Sequence, residues 1–189
     1  MSEYQYYEFC RIATPLSSEA RKEMASLSSR AQVSTHGASY VYNYGDFRGN
    51  PTQLVLKYFD VFFYIANFGT IQLMFKYNAS QIDTNEIKKY CIKHTLECKQ
   101  YEQDIVISIY IQNEDGFGWT EGEGVLPDLL PLYDEIKSKN YQFFRIIAAI
   151  HGEWVAGKEG TLSKLLEEII PSSAQKEFLK NTEIECCVK

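Results

Sequence analysis

The segment Cys91-Ile-Lys-His94-Thr-Leu-Glu-Cys98 places two thiols and an imidazole close together. Thiolate sulfur and imidazole nitrogen are the donors that hold tetrahedral zinc, and a structural site needs four of them. Cys10, Cys186 or Cys187 would have to supply the last. Against this, the spacing fits no paired Cys-x-x-Cys knuckle. A helix ending near Cys91 and a strand around Cys98 would also part the thiols. Cys91, His94 and Cys98 are therefore a candidate metal set that competes with a reading as unrelated thiols.

Other chemistry-bearing residues are scattered. The histidines are His36, His94 and His151. His151-Gly-Glu153 has the His-x-Glu spacing of zinc deaminases, but no Pro-Cys-x-x-Cys follows it. Its neighbours at helical spacing, Phe144, Ala148 and Val155, predict a buried, hydrogen-bonded histidine. No serine lies in Gly-x-Ser-x-Gly, and no phosphate-cradling glycine motif is present. The stretch 113–124 holds four glycines and four acids. Its twelfth position is Gly124, where a calcium loop requires a bidentate glutamate. No cofactor is expected from these patterns. An enzyme of unknown class would have to be built around His36, Asp46 and Arg48.

Recognition chemistry is better represented. Tyr4 and Tyr6 alternate with Tyr7 and Phe9, and Tyr40, Tyr42 and Tyr44 share one face of a second strand. If the strands pair, a tyrosine ladder results, which serves either stability or recognition. Gly45-Asp46-Phe47-Arg48-Gly49 links that strand to a helix opened by Pro51. Trp119 stands among glycines and acids, a plausible docking anchor or a lid on its own domain. The interaction candidates are Tyr40, Tyr42, Tyr44, Asp46, Phe47, Arg48 and Trp119.

Composition bounds what these residues can do. The chain has 189 residues, enough for one domain that buries roughly 70% of its unfolded surface. Net charge is −6, carried unevenly: positions 1–100 hold 11 Lys/Arg against 9 Asp/Glu, and positions 101–189 hold 8 against 16. Such an acidic second half disfavours general binding to phosphate backbones. No apolar run reaches the roughly 20 residues that cross a bilayer. The first residues lack the basic start and apolar core of a signal peptide. Five cysteines, an odd number with one adjacent pair, do not form a secreted disulfide framework. Cytoplasmic residence is expected, with no membrane partner.

Periodicity supplies the elements that must position the candidates. Strands are predicted over 3–12, 40–44, 63–67, 70–77, 95–101 and 104–112. The last puts Ile105, Ile107, Ile109 and Ile111 on one face, which must meet a core. Ser17 or Ser18 caps a helix to about position 30, and Pro51 opens a second. Asp83 or Thr84 starts a short one, and Asn140, Thr161 and Ser172 begin three more. The fold expected is α+β, an antiparallel or mixed sheet with helices on one face, followed by an all-helical C-terminal part. Its divisions are a sheet domain over 1–112, an acidic glycine-rich loop over 113–124, and a helical part over 125–189 on the same core.

Ser2-Glu-Tyr-Gln-Tyr-Tyr-Glu-Phe9, Leu27-Ser-Ser-Arg30-Ala, Gly45-Asp-Phe-x-Gly-x-Pro51, Lys57-Tyr-Phe-Asp60 and Ala66-Asn-x-Gly-Thr70 resemble a family of uncharacterised bacterial proteins. The likeness covers about the first 80 residues well and implies a bacterial cytoplasmic protein, with no activity to carry over. The functional expectation is a non-catalytic protein–protein interaction module, an accessory or regulatory subunit of a bacterial intracellular complex. The alternatives are a nucleic-acid-associated factor and the enzyme of unknown class.

Overall fold

Short runs of aromatic and β-branched residues broken by glycine, asparagine and aspartate favour hairpins over long crossovers. The computed structural model describes residues 3–113, 116 and 121–182. The strands are β1 (Gln5–Cys10), β2 (Gln32–Val33), β3 (Gly37–Tyr42), β4 (Val61–Ala66), β5 (Thr70–Asn78), β6 (Leu96–Tyr101) and β7 (Asp104–Gln112). They form one seven-stranded sheet in the order β2-β3-β1-β4-β5-β7-β6. Every neighbouring pair is antiparallel, which removes the mixed-sheet alternative. The helices are α1 (Ser18–Ser26), α2 (Pro51–Tyr58), α3 (Thr84–Lys88), α4 (Val125–Leu129), α5 (Pro131–Lys137), α6 (Gln142–Trp154), α7 (Thr161–Glu168) and α8 (Ser173–Asn181). Among the described residues, no helix is long and apolar enough to cross a membrane.

Local chemistry sets the helix ends. Ser17 caps α1 by accepting the Ala20 amide, and Asn50 caps α2 by accepting that of Gln53, with Pro51 at the first helical position. Ser172 and Gln175 cap α8 reciprocally. Asn140 accepts the Gln142 amide just ahead of α6. Gly160, not Thr161, takes the capping position of α7.

Helices cover both faces at the centre of the sheet, so the expectation of helices on one face is wrong. On the first face, Ile105, Ile107, Ile109 and Ile111 join Phe63, Leu73 and Phe75 against residues of α3–α8 such as Ile87, Leu126, Ile136, Ile147, Leu162 and Phe178. The four isoleucines are between 0% and 4% exposed, as a row facing a core must be. On the second face, Tyr7, Phe9, Tyr40, Phe62 and Tyr64 pack against Ala20 and Met24 of α1 and Leu54 and Val55 of α2. The physical reason lies in β4, where all of Val61–Ala66 is buried. An unbroken apolar strand cannot leave either face in water. Lys76 pins the end of α2 from this side. Its Nζ donates to the Val55 carbonyl at 2.9 Å and lies 3.7 Å from an Asp60 carboxylate oxygen.

Helices α4 and α5 fall within the expected helical part, although no start was assigned to either in the sequence. Pro127 and Pro131 each fall in a first turn, where the missing amide hydrogen has no partner to lose.

Glu8 stands on the first face of β1, opposite Ser39 of β3 and Phe63 of β4. The Tyr6 hydroxyl donates to its Oε2 at 3.1 Å. Burial raises its carboxyl above the ordinary carboxylate range; the Tyr6 hydrogen bond offsets part of this, and Glu123 adds to the rise. A raised folded-state pKa means a contribution present below the unfolded value and lost as pH climbs through the folded one. Glu8→Gln, which mimics the neutral acid, should therefore raise the thermal midpoint at pH 7. The gain should fade as pH falls toward about 4, where the wild-type side chain is itself neutral. A gain that persisted undiminished at low pH would contradict this reading.

Candidate interaction site

Antiparallel pairing brings the predicted tyrosine ladder together. Tyr7 lies opposite Tyr40 of β3 and Tyr64 of β4, and Gln5 lies opposite Tyr42 and Ala66. All therefore point to the second face of the sheet. The Tyr7 ring centroid is 4.5 Å from that of Tyr64 and meets Tyr42 edge-on at 5.9 Å. Phe47, from the loop after β3, stacks on Tyr7 at 5.0 Å and lies 4.8 Å from Tyr40.

One polar side chain sits inside this aromatic layer. Gln5 is 3% exposed. Its Oε1 accepts from the Tyr7 hydroxyl at 2.8 Å and the Tyr64 hydroxyl at 2.9 Å. Its Nε2 donates to the Gly45 carbonyl at 3.1 Å. Phe47 and Gln5 thus hold the loop between β3 and α2 at two points. Gly45 has φ +74°, a conformation that glycine adopts without steric cost. A Cβ on Gly49 would meet the Phe47 ring at 2.7 Å, so glycine lets the loop close over its own anchor.

What the anchors leave outside is the candidate site. Tyr44 is 83% exposed. With Tyr42, Asn43, Arg48 and the turn that follows α1, it borders a pocket of about 390 Å³. That turn brings Ser28, Ser29 and Arg30. Arg30 and Arg48 are both exposed, and among the described residues neither side chain has an ion-pair or hydrogen-bond partner. The Tyr42 hydroxyl is enclosed and, among the described residues, has no hydrogen-bond partner. Among the described residues, no acid borders the pocket.

The sequence candidates therefore divide. Tyr42, Tyr44 and Arg48 meet at this corner. Tyr40 does not present itself to a partner: it is 1% exposed and donates its hydroxyl to the Met24 carbonyl at 2.9 Å. Its place in the middle of β3, beneath α1, makes it core. Phe47 is the half-buried anchor. Asp46 is exposed but stands outside the pocket lining. Trp119 lies outside the described residues, as do Cys186 and Cys187. Arg30 went unrecognised in the sequence as a site residue. Its signal was the Ser-Ser-Arg run just past a helix end, in a segment that the fold lays against the loop after β3.

The candidate metal set does not assemble. Among the described residues, no three His, Cys, Asp or Glu side chains are grouped to hold an ion. The turn ahead of β6, in which His94 takes a φ of +67°, is the cause. Cys98 packs toward the first-face core, while His94 borders a groove on the second face with Gln72, Met74, Val106 and Tyr110. Burial pushes the thiols of Cys98 and Cys10 up to about 11 and raises that of Cys91. Protonated thiols are poor nucleophiles and poor ligands.

His36, Asp46 and Arg48 are likewise apart. His36 precedes β3 and the other two follow it, so they stand at opposite ends of a strand of roughly 20 Å. His36 borders a separate groove with Cys10, Arg11 and Asp134. His151 accepts or donates one hydrogen bond through Nδ1 to the Thr95 hydroxyl, at 2.9 Å, from a half-buried position.

Comparison with protein-family models, with curated proteins and with solved structures finds no match. The site is therefore read from its own geometry.

Gln5→Leu should leave the Tyr7 and Tyr64 hydroxyls and the Gly45 carbonyl without their partner, at about 1–3 kcal/mol for each group kept from water. The urea midpoint should fall with an unchanged slope, and adding Tyr7→Phe should return part of the loss. A loss below about 0.5 kcal/mol would place the node among ordinary surface contacts. Alkylation gives an independent check. At about pH 8, iodoacetamide should label exposed Cys91 ahead of Cys10 and Cys98, whose rates should keep rising toward pH 11. Faster labelling of Cys10 than of Cys91 would reveal a stabilised thiolate instead.

Proposed function

We propose that the protein is a non-catalytic interaction module, an accessory or regulatory subunit that docks another protein through the corner built by Tyr42, Tyr44, Arg48 and Arg30. The observation that carries this reading is Tyr44, 83% exposed on a loop that Gln5 and Phe47 hold from beneath. Tyrosine and arginine dominate the few residues that supply most of the energy at protein interfaces. A large aromatic ring left in water can gain about 2 kcal/mol or more when a partner covers it. Because the loop is held before any partner arrives, little ordering entropy opposes docking.

The reading also draws on what the rest of the chain lacks in arrangement. Buried, protonated thiols and separated histidines offer no activated nucleophile among the described residues. An intracellular setting suits a chain that keeps its cysteines as thiols, as Cys10, Cys91 and Cys98 are here.

A photo-reactive benzoylphenylalanine in place of Tyr44 tests the proposal in living cells. One predominant protein adduct is expected, identified by mass spectrometry and absent when the same group replaces exposed Lys164 on α7. Adducts mainly to RNA or DNA would favour the nucleic-acid alternative. No adduct at position 44 would contradict the interaction reading.

A further inference from the structure

We infer that the corner is an anion receptor, and that the element it takes from its protein partner is a short acidic segment whose carboxylates seat on Arg30 and Arg48. This inference rests on the interaction reading and gives that partner its chemistry. Three observations carry it. First, Arg30 and Arg48 border the same pocket of about 390 Å³, and among the described residues no acid borders it with them. Secondly, among the described residues neither side chain has an ion pair or hydrogen bond of its own, so both guanidiniums are free to take an incoming anion. In a chain of net charge −6, two arginines on one pocket with no acid among its described lining residues make a local cationic spot. Thirdly, the Tyr42 hydroxyl, on a residue of the pocket wall, is enclosed without a hydrogen-bond partner among the described residues. A buried donor without an acceptor calls for an explanation, and an acceptor brought by a partner is one.

Guanidinium presents a planar fork that matches a carboxylate in two parallel hydrogen bonds. The serine hydroxyls of Ser28 and Ser29 add neutral donors at the same rim. Exposed Tyr44 covers the apolar stem of whatever acidic side chain enters. A nucleic-acid strand would bring the same oxyanion chemistry, but it would repeat it along the whole molecule. A single two-arginine corner suits a few charges, and the surplus of acids beyond position 100 repels a long polyanion.

The probe is a short fluorescein-labelled peptide of alternating glutamate and glycine, followed by anisotropy at low salt. The full-length protein should bind it. Arg30→Glu with Arg48→Glu should weaken binding by about tenfold or more. Lys164→Glu with Lys176→Glu makes the same change in net charge on exposed positions of α7 and α8, and should leave binding within about twofold of wild type. Equal losses in the two double variants would mean a bulk charge effect and overturn the inference, as would no peptide binding at low salt. Tighter binding of single-stranded oligothymidylate than of the peptide, with a steep salt dependence, would overturn it in favour of nucleic acid. If position 44 still cross-links one protein but charge reversal at Arg30 and Arg48 changes nothing, the acidic-segment inference alone falls and the interaction reading stands.

Discussion

The carboxamide of Gln5 is the interaction on which the arrangement of the corner depends. It lies in a layer that is otherwise aromatic, where an unpaired amide would cost several kcal/mol to bury. Every strong hydrogen-bonding position it uses is answered from a different segment: Tyr7 from its own strand, Tyr64 from β4, and Gly45 from the loop after β3. The register of the three central strands and the path of the recognition loop are thus tied through one side chain. Slip β1 by one residue against β3 and Gln5 would turn to the first face, leaving the tyrosine hydroxyls dry and the loop unheld.

Double-faced burial explains why that loop can be rigid and yet present an aromatic ring. The central strands are packed on both sides, so β3 emerges from a layer that cannot shift. Tyr40 and Tyr42 share a face, but they occupy successive depths of the same layer. Tyr40 lies under α1 with its hydroxyl on the Met24 carbonyl, while Tyr42 stands half-buried at the margin. Beyond the strand, Tyr44 clears the layer altogether. Gradation along one strand therefore converts a stability device into a recognition surface. The same burial silences the thiols, because an apolar environment disfavours thiolate.

Much of the scaffold was legible in the residues. Alternation located most strands within a few positions, the isoleucine row of β7 declared a core, and Asn50-Pro51 marked a helix start. The harder matter was which face each residue takes and what lies over it. Val61–Ala66 is apolar at every position, a sign of burial on both sides that outweighs any one-sided sheet. The helical character of 125–189 was legible, but the starts of α4 and α5 were not, since Pro127 and Pro131 sit in first turns without a side-chain cap. The metal set looked coherent in sequence because residue type is visible there and the left-handed turn at His94 is not: Cys98 and His94 end on different faces. Tyr44 and Arg48 were found because exposed loop chemistry is local. Arg30 was not, because its meeting with Arg48 is made by the fold.

The account turns on a corner that is already formed in the free protein. Backbone ¹⁵N relaxation across positions 43–48 measures this directly. The anchors at Gly45 and Phe47 predict order parameters there close to those of β3, at about 0.85. Values below about 0.6 would describe a loop that Gln5 and Phe47 do not hold, and would contradict the account.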